Sequence, residues 1–343
     1  MPSQTRPDNY CKRSRRAFLF LAGATLVQGL PMALSTALPA SANQPVKVIR
    51  RTVDGVPFYQ TTIDLTDPKT FVTIGLANNA TQANSSKVSA GAESFKGIVR
   101  RSRAAVVASG TFFSVDAQKR VMGNMVAGGK FLKYSPWENY GTTLGLRIGN
   151  QPEMITARID GKPPWQDHWF SLTGGPRLLK AGKVSLQPRK EGFADPNVLG
   201  VAYRSAIGYP RGGKKLVIAT FLTPLSLARE ARLMKAIGCY EAMNLDGGSS
   251  IALAKGNKIL VPTSRGLTNA IVVYDAKHPA PKKLQETWTH FQQGKPTLPY
   301  AIEDTPEHLT QEHLTPELDA GHGLSLQAQL GDFEQPLLDL EVE

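Results

Sequence analysis

The sequence predicts an α+β fold: mostly short mixed or antiparallel strands with few helices, in a single domain over residues 43–276. Three observations point there. From Val46 to about Asp275, short β-rich runs are split by Gly, Asn, Asp and Pro. Only one stretch carries a strong helical period, and no regular β-α-β alternation supports a doubly wound sheet. Of the 343 residues, 41% are hydrophobic and 20% charged, which allows a sizeable core and excludes a disordered or collagen-like chain.

Residues 1–42 stand apart as a targeting segment. Ser14-Arg15-Arg16-Ala17-Phe18-Leu19 reads as a twin-arginine signal ahead of an apolar stretch that Gly23, Gln28, Gly29 and Pro31 interrupt. Ala40-Ser41-Ala42 supplies a small-x-small cleavage site, so a mature start near Asn43 outside the cytoplasm of a bacterium is expected; an uncleaved anchor is the alternative. No later segment reaches the roughly 18 apolar residues of a span, so no stable membrane span is expected after cleavage. Of the two cysteines, Cys11 leaves with the signal and Cys239 reads as a small buried residue.

Strands are then expected, in order, over 46–53, 58–65, 70–76, 104–113, 125–131, 143–148, 170–172, 178–184, 216–222, 242–245, 251–254, 258–261 and 269–274. The strong helix lies between Pro224 and Ile237, with Thr223 as its cap, Pro224 at its first position and Gly238 as its stop. Leu227, Ala231 and Met234 share one face of it, and a weaker helix is expected over 94–102. After Asp275 the character changes. Residues 277–343 hold 4 basic and 12 acidic residues and five of the six histidines, none at zinc-motif spacing, and read as an acidic mobile extension.

Charge is therefore uneven. The chain carries 40 basic against 28 acidic residues, and residues 43–276 hold 31 against 15, a net of +16. That excess suits an anionic partner: phosphate-bearing glycan, polymer, nucleic acid or membrane surface. No nucleic-acid motif accompanies it, and nucleic acid is set aside.

Residues 43–276 contain one histidine, His168, and lack HExxH, Cys-x-x-Cys, GxGxxG and P-loop motifs. The sharpest feature is NLDGGSS, Asn244 to Ser250. Glycines at Gly247 and Gly248 let the backbone approach a ligand, and their amides with Ser249 and Ser250 would make a nest for an anion. Asp246 beside it would serve as base or nucleophile; the alternative is an ordinary turn in which Asp246 bonds local amides. Asn244 and Asp246 leave a divalent cation open without requiring one, and no cofactor is indicated. Further candidates are Ser109, Thr111 and Phe113 at a strand end, Gly174 and Gly175 in a second glycine turn, Arg204 in an apolar strand, Arg265 just before the last strand and Asn269 at its start. A desolvated Arg204 needs an anion or a carboxylate.

In order, SGTFFS (109–114), GGPRLLKAGKV (174–184), YRSAIGY (203–209), LAREARLMKAIGCYEAMNLDGGSS (227–250) and RGLTNAIVVY (265–274) resemble the phosphodiester glycosidase family over roughly residues 95–275. The family usually has Asn where Ser109 stands, often a third glycine at Ser249, and an Asp-Gly-Arg where Ala219 to Leu222 stand. The resemblance implies a single catalytic domain that cleaves a sugar-phosphodiester or related glycosidic bond in envelope or exopolysaccharide glycans. Asp246 would be its carboxylate, and Arg204 and Arg265 would hold the anionic leaving group. The other class is a non-catalytic glycan- or polyanion-binding protein of the same fold.

Overall fold

The computed structural model describes residues 44–295. The targeting segment expected over 1–42 and the extension beyond 295 lie outside the described residues. Three antiparallel sheets carry the fold. The largest has seven strands in the order Val46–Val53, Val56–Asp64, Lys215–Phe221, Ser205–Tyr209, Glu241–Asn244, Arg177–Lys180 and Lys183–Val184. A second sheet of five runs Lys258–Val261, Leu253–Lys255, Val106–Ser109, Asn269–Tyr274 and Phe71–Leu76. The third, also of five, runs Lys130–Lys133, Met125–Ala127, Phe170–Gly174, Thr142–Arg147 and Gln151–Thr156. The mostly-strand α+β class predicted from the sequence is the observed one.

Central strands of the seven-stranded sheet are buried on both faces. Ile207, Leu216, Ile218 and Met243 point into the main core, which also takes side chains from the other two sheets. Their neighbours Ala206, Val217, Ala219, Phe221 and Ala242 point the other way, under the helix Leu227–Ala236. Alternation along each strand thus separates two apolar layers with opposite partners. This is why the strands read as unbroken apolar runs rather than as alternating ones.

Local differences from the sequence reading have simple causes. The runs 125–131 and 178–184 are hairpins rather than single strands, because Gly128-Gly129 and Ala181-Gly182 adopt positive φ and reverse the chain. The strand Gln151–Thr156 was hidden by its polar and proline residues; it pairs with Thr142–Arg147 at a sheet edge. The main helix begins three residues later than expected, and its cap is Ser226, whose side chain accepts from the Arg229 amide, rather than Thr223. The weaker helix forms over Phe95–Ser102, with Ser94 as its cap.

The domain boundary at residue 276 needs correcting. Residues 282–292 form a helix whose Leu284, Trp288 and Phe291 pack against the main core. Trp288 meets Trp169 edge-on at 4.9 Å between centroids, and Phe291 lies 5.8 Å from the same ring. The described domain therefore runs to residue 295. Leu284, Trp288 and Phe291 recur every three to four positions, a helical stripe that the acidic composition of the whole extension concealed. A chain ending at Lys277 should melt on the order of 5–10 °C below one ending at Lys295, because it exposes the Trp169 face and loses two aromatic side chains. Equal melting temperatures would show that the helix is not part of the domain.

Candidate active site

Each sheet sends one strand end to the same place. The strand Glu241–Asn244 leaves the middle of the seven-stranded sheet through Leu245 and Asp246, Val106–Ser109 leaves the second sheet through Gly110 and Thr111, and Phe170–Gly174 leaves the third through Gly175. Backbone bonds tie these exits together. The Asp246 amide donates to the Gly110 carbonyl at 3.1 Å, and the Gly175 amide to the Asn244 carbonyl at 2.8 Å. The approach is too close for side chains at two points. A Cβ on Gly247 would overlap the Tyr203 carbonyl oxygen, and one on Gly110 would overlap the Asn269 amide oxygen.

Buried amide side chains complete the bonding the strands leave open. Asn269 accepts from the Thr111 amide at 2.8 Å and donates to the Thr111 carbonyl at 3.1 Å, as a paired backbone would. Asn244 donates to the Gly175 carbonyl at 3.0 Å. The Ser109 hydroxyl accepts from the Ala252 amide at 2.7 Å and donates to the Ser250 carbonyl at 3.1 Å. The Thr111 hydroxyl donates to the Thr173 carbonyl. Ser109, Thr111, Asn244 and Asn269 are all buried and hold the loops in register.

Above this frame Asp246 meets Arg265. The Arg265 guanidinium lies 3.3 Å from Asp246 Oδ2, donates through Nε to the Ser250 hydroxyl at 2.6 Å, and rests 4.1 Å over the Phe113 ring. Asp246 is 6% exposed. Burial pushes its carboxyl up to about 6; Arg265, the Ser250 hydroxyl and the Gly247 amide hold it from rising further. At neutral pH it is therefore mostly ionised but a better proton acceptor than a free aspartate. Arg265 and Ser264 also line a groove of about 400 Å³ with Ser94, Lys96 and Thr263. Gly248 and Ser249 form the outer turn of the loop, with Ser249 exposed and its carbonyl accepting from the Ser264 amide at 3.1 Å.

Arg204 departs from expectation. The sequence reading has it hold the leaving group together with Arg265, but its guanidinium turns to the opposite layer. It shares a sheet face with Ala206, under the helix Leu227–Ala236. Nε donates to the Leu225 carbonyl at 2.8 Å, Nη2 to the Val198 carbonyl at 2.9 Å and to Gly200, and Nη1 reaches Asn244 Oδ1 at 3.4 Å. Glu230 Oε2 lies 3.8 Å from Nε. Arg204 fastens the 198–200 turn and the start of the helix to the back of Asn244. His168, the lone histidine of residues 43–276, is likewise internal, paired with Glu153 at 2.6 Å.

Two buried carboxyls escaped the sequence reading. Glu230 is fully buried and neither of its oxygens has a hydrogen-bond partner; burial pushes it up to about 8, against the pull of Arg204. Glu191 sits beneath the second glycine turn. It accepts from the Arg177 amide at 3.0 Å and the Thr142 hydroxyl at 2.8 Å, and burial pushes it up to about 7. Glu230 lies in a charged helical run and Glu191 in a Lys-Glu pair, where a solvated side chain is the ordinary expectation. Among the described residues no group of three or more His, Cys, Asp or Glu gathers as a metal site would.

Replacing Arg204 with Met should cost about 3–5 kcal/mol in denaturant unfolding, because carbonyls, Asn244 and Glu230 lose their shared partner. Unchanged stability with lost activity would return Arg204 to the reacting centre. Because the Glu230 carboxyl is raised by folding, its contribution favours the fold below about pH 4.5 and is lost as pH rises through about 8. Glu230→Gln should therefore flatten the fall of melting temperature over that range; an unaltered pH dependence would contradict the assignment.

Residues 102–274 match the phosphodiester glycosidase family. No curated protein sequence matches the chain. Solved structures share the fold, among them the following two. The catalytic domain of zebrafish N-acetylglucosamine-1-phosphodiester alpha-N-acetylglucosaminidase, auto-inhibited by its pro-peptide, is 17% identical, with a TM-score of 0.53 over 68% of this chain and 85% of that one. A hypothetical protein from Synechocystis is 18% identical, with a TM-score of 0.50 over 67% of this chain and 62% of that one. The chain thus spans less than two thirds of the Synechocystis protein. With half of its length matched in sequence, and a mostly-strand domain framing the matched motifs, this chain belongs to the phosphodiester glycosidase family, a family of glycosidase-like hydrolases.

Proposed function

We propose that the protein hydrolyses a sugar-phosphodiester or related glycosidic bond in envelope or exopolysaccharide glycans, outside the cytoplasm. The observation that carries this reading is the Asp246–Arg265 pair: a buried carboxylate and a partly exposed guanidinium 3.3 Å apart on a glycine turn. Asp246 accepts a proton from the attacking water. The water oxygen bonds to C1 of the sugar, and the C1–O bond to phosphate breaks with its electron pair passing to the phosphate. A phosphate monoester is a good leaving group, so little protonation is required. Arg265 moves its charge from Asp246 to the departing phosphate, with Lys96 in the adjoining groove adding to the field. Arg204 has no part in this step.

Release of free sugar from a panel of sugar-1-phosphodiesters tests the reading. Asp246→Asn should lower kcat/KM by about 10²–10⁴. The wild-type rate should rise with pH through about 6, as the carboxyl ionises. The same substitution should hold or raise the melting temperature at pH 8, because folding raises this carboxyl and charging it opposes the fold. Binding of glycan without turnover in the wild type would favour the non-catalytic class instead. For the location, replacing Arg15 and Arg16 by Lys should leave unprocessed precursor in the cytoplasm; unchanged export would refute the twin-arginine route.

A further inference from the structure

The turn from Pro262 to Arg265 forms a wall of two grooves. One is the groove of Arg265 and Lys96. The other, of about 660 Å³, is lined by Val201, Tyr203, Leu222, Pro224, Ile251 and Leu260 among others, and no lining residue is charged. Val201 is 71% and Tyr203 45% exposed, so large apolar side chains stand in water there. In a domain with a net charge of +16, an uncharged groove is a poor seat for a polyanion. Gly248, Ser249 and Ile251 line the same groove, and Ser250 between them accepts from Arg265 Nε at 2.6 Å, so the groove borders the loop that carries Asp246. Charge is thus segregated: cations on one side of the 262–265 turn, hydrocarbon on the other.

The geometry points to a substrate whose leaving group is the phosphate ester of a hydrocarbon-chain alcohol, with its sugar phosphate at Asp246–Arg265 and its chain in the uncharged groove beside Val201 and Tyr203. This rests on the phosphodiester reading above. Water adds at C1, the C1–O bond breaks, and the products are free sugar and the alkyl phosphate.

Calorimetric titration of the full chain with methyl phosphate and octyl phosphate, below micelle formation, tests the groove without turnover. Octyl phosphate should bind at least about tenfold tighter, as burial of several methylenes requires. Val201→Asn combined with Tyr203→Asn should cut that ratio at least about threefold, with a melting temperature near that of the parent because both side chains are exposed. Equal affinities, or a ratio the double variant leaves intact, would overturn the proposal. So would octyl binding confined to a chain ending at Lys295, which would give the groove to the protein's own carboxy-terminal segment. Methyl and octyl sugar-1-phosphodiesters then separate the two claims. Hydrolysis of both with no chain-length preference overturns the groove alone. A chain-length preference in binding, with neither ester hydrolysed, overturns the hydrolase reading and leaves a site for alkyl phosphates.

Discussion

Strand ends from three sheets converge to keep one carboxylate, Asp246, nearly dry, and the loops around it are shaped by that burial. Removing Asp246 from water is costly unless donors replace the lost hydration. The Gly247 amide, the Ser250 hydroxyl and Arg265 are those donors. Reaching that arrangement requires backbones closer than side chains allow, hence Gly110 and Gly247. It also requires the strand ends to stay bonded where regular pairing stops, hence Asn244, Asn269, Ser109 and Thr111. Most of the residues singled out around Asp246 build the place in which it sits.

The two arginines show how parity along a strand assigns a role. Arg204 precedes a central strand of the seven-stranded sheet and falls on the face that meets the helix, where carbonyls and Glu230 use its donors. Arg265 comes from a turn, is 31% exposed at its side chain, and has the Phe113 ring behind it. A guanidinium fixed by neutral carbonyls is a structural fastening; one shared between an aromatic face and a carboxylate can transfer its charge to an anion. Glu230 beside Arg204 then reads as part of the packing, and burial raises it far more than that arginine lowers it.

Much of this was legible in the sequence. The strand-rich class followed from short apolar runs and their breakers, and NLDGGSS stood out as a carboxylate, two glycines and two hydroxyls in one turn after an apolar run. Proximity was harder to read. A one-residue change in register moves a side chain to the other face of a sheet, and no local signal says which face of the strand after Tyr203 meets the helix. Hence the sequence alone sets Arg204 with Arg265 on the leaving group. Glu191 and Glu230 were hidden because burial of a charged residue is a tertiary event. The helix 282–292 was hidden because its apolar stripe is averaged away in a segment judged by composition.

Titration of the Asp246 carboxyl by carbon NMR, with its signal identified by its absence in Asp246→Asn, reads the burial of this group. A midpoint near 6 is expected in the parent, well above an ordinary aspartate, with a further rise in Arg265→Gln as the neighbouring charge is removed. A midpoint near 3.8 that Arg265→Gln leaves unmoved would contradict it, and would make Asp246 a solvated turn residue.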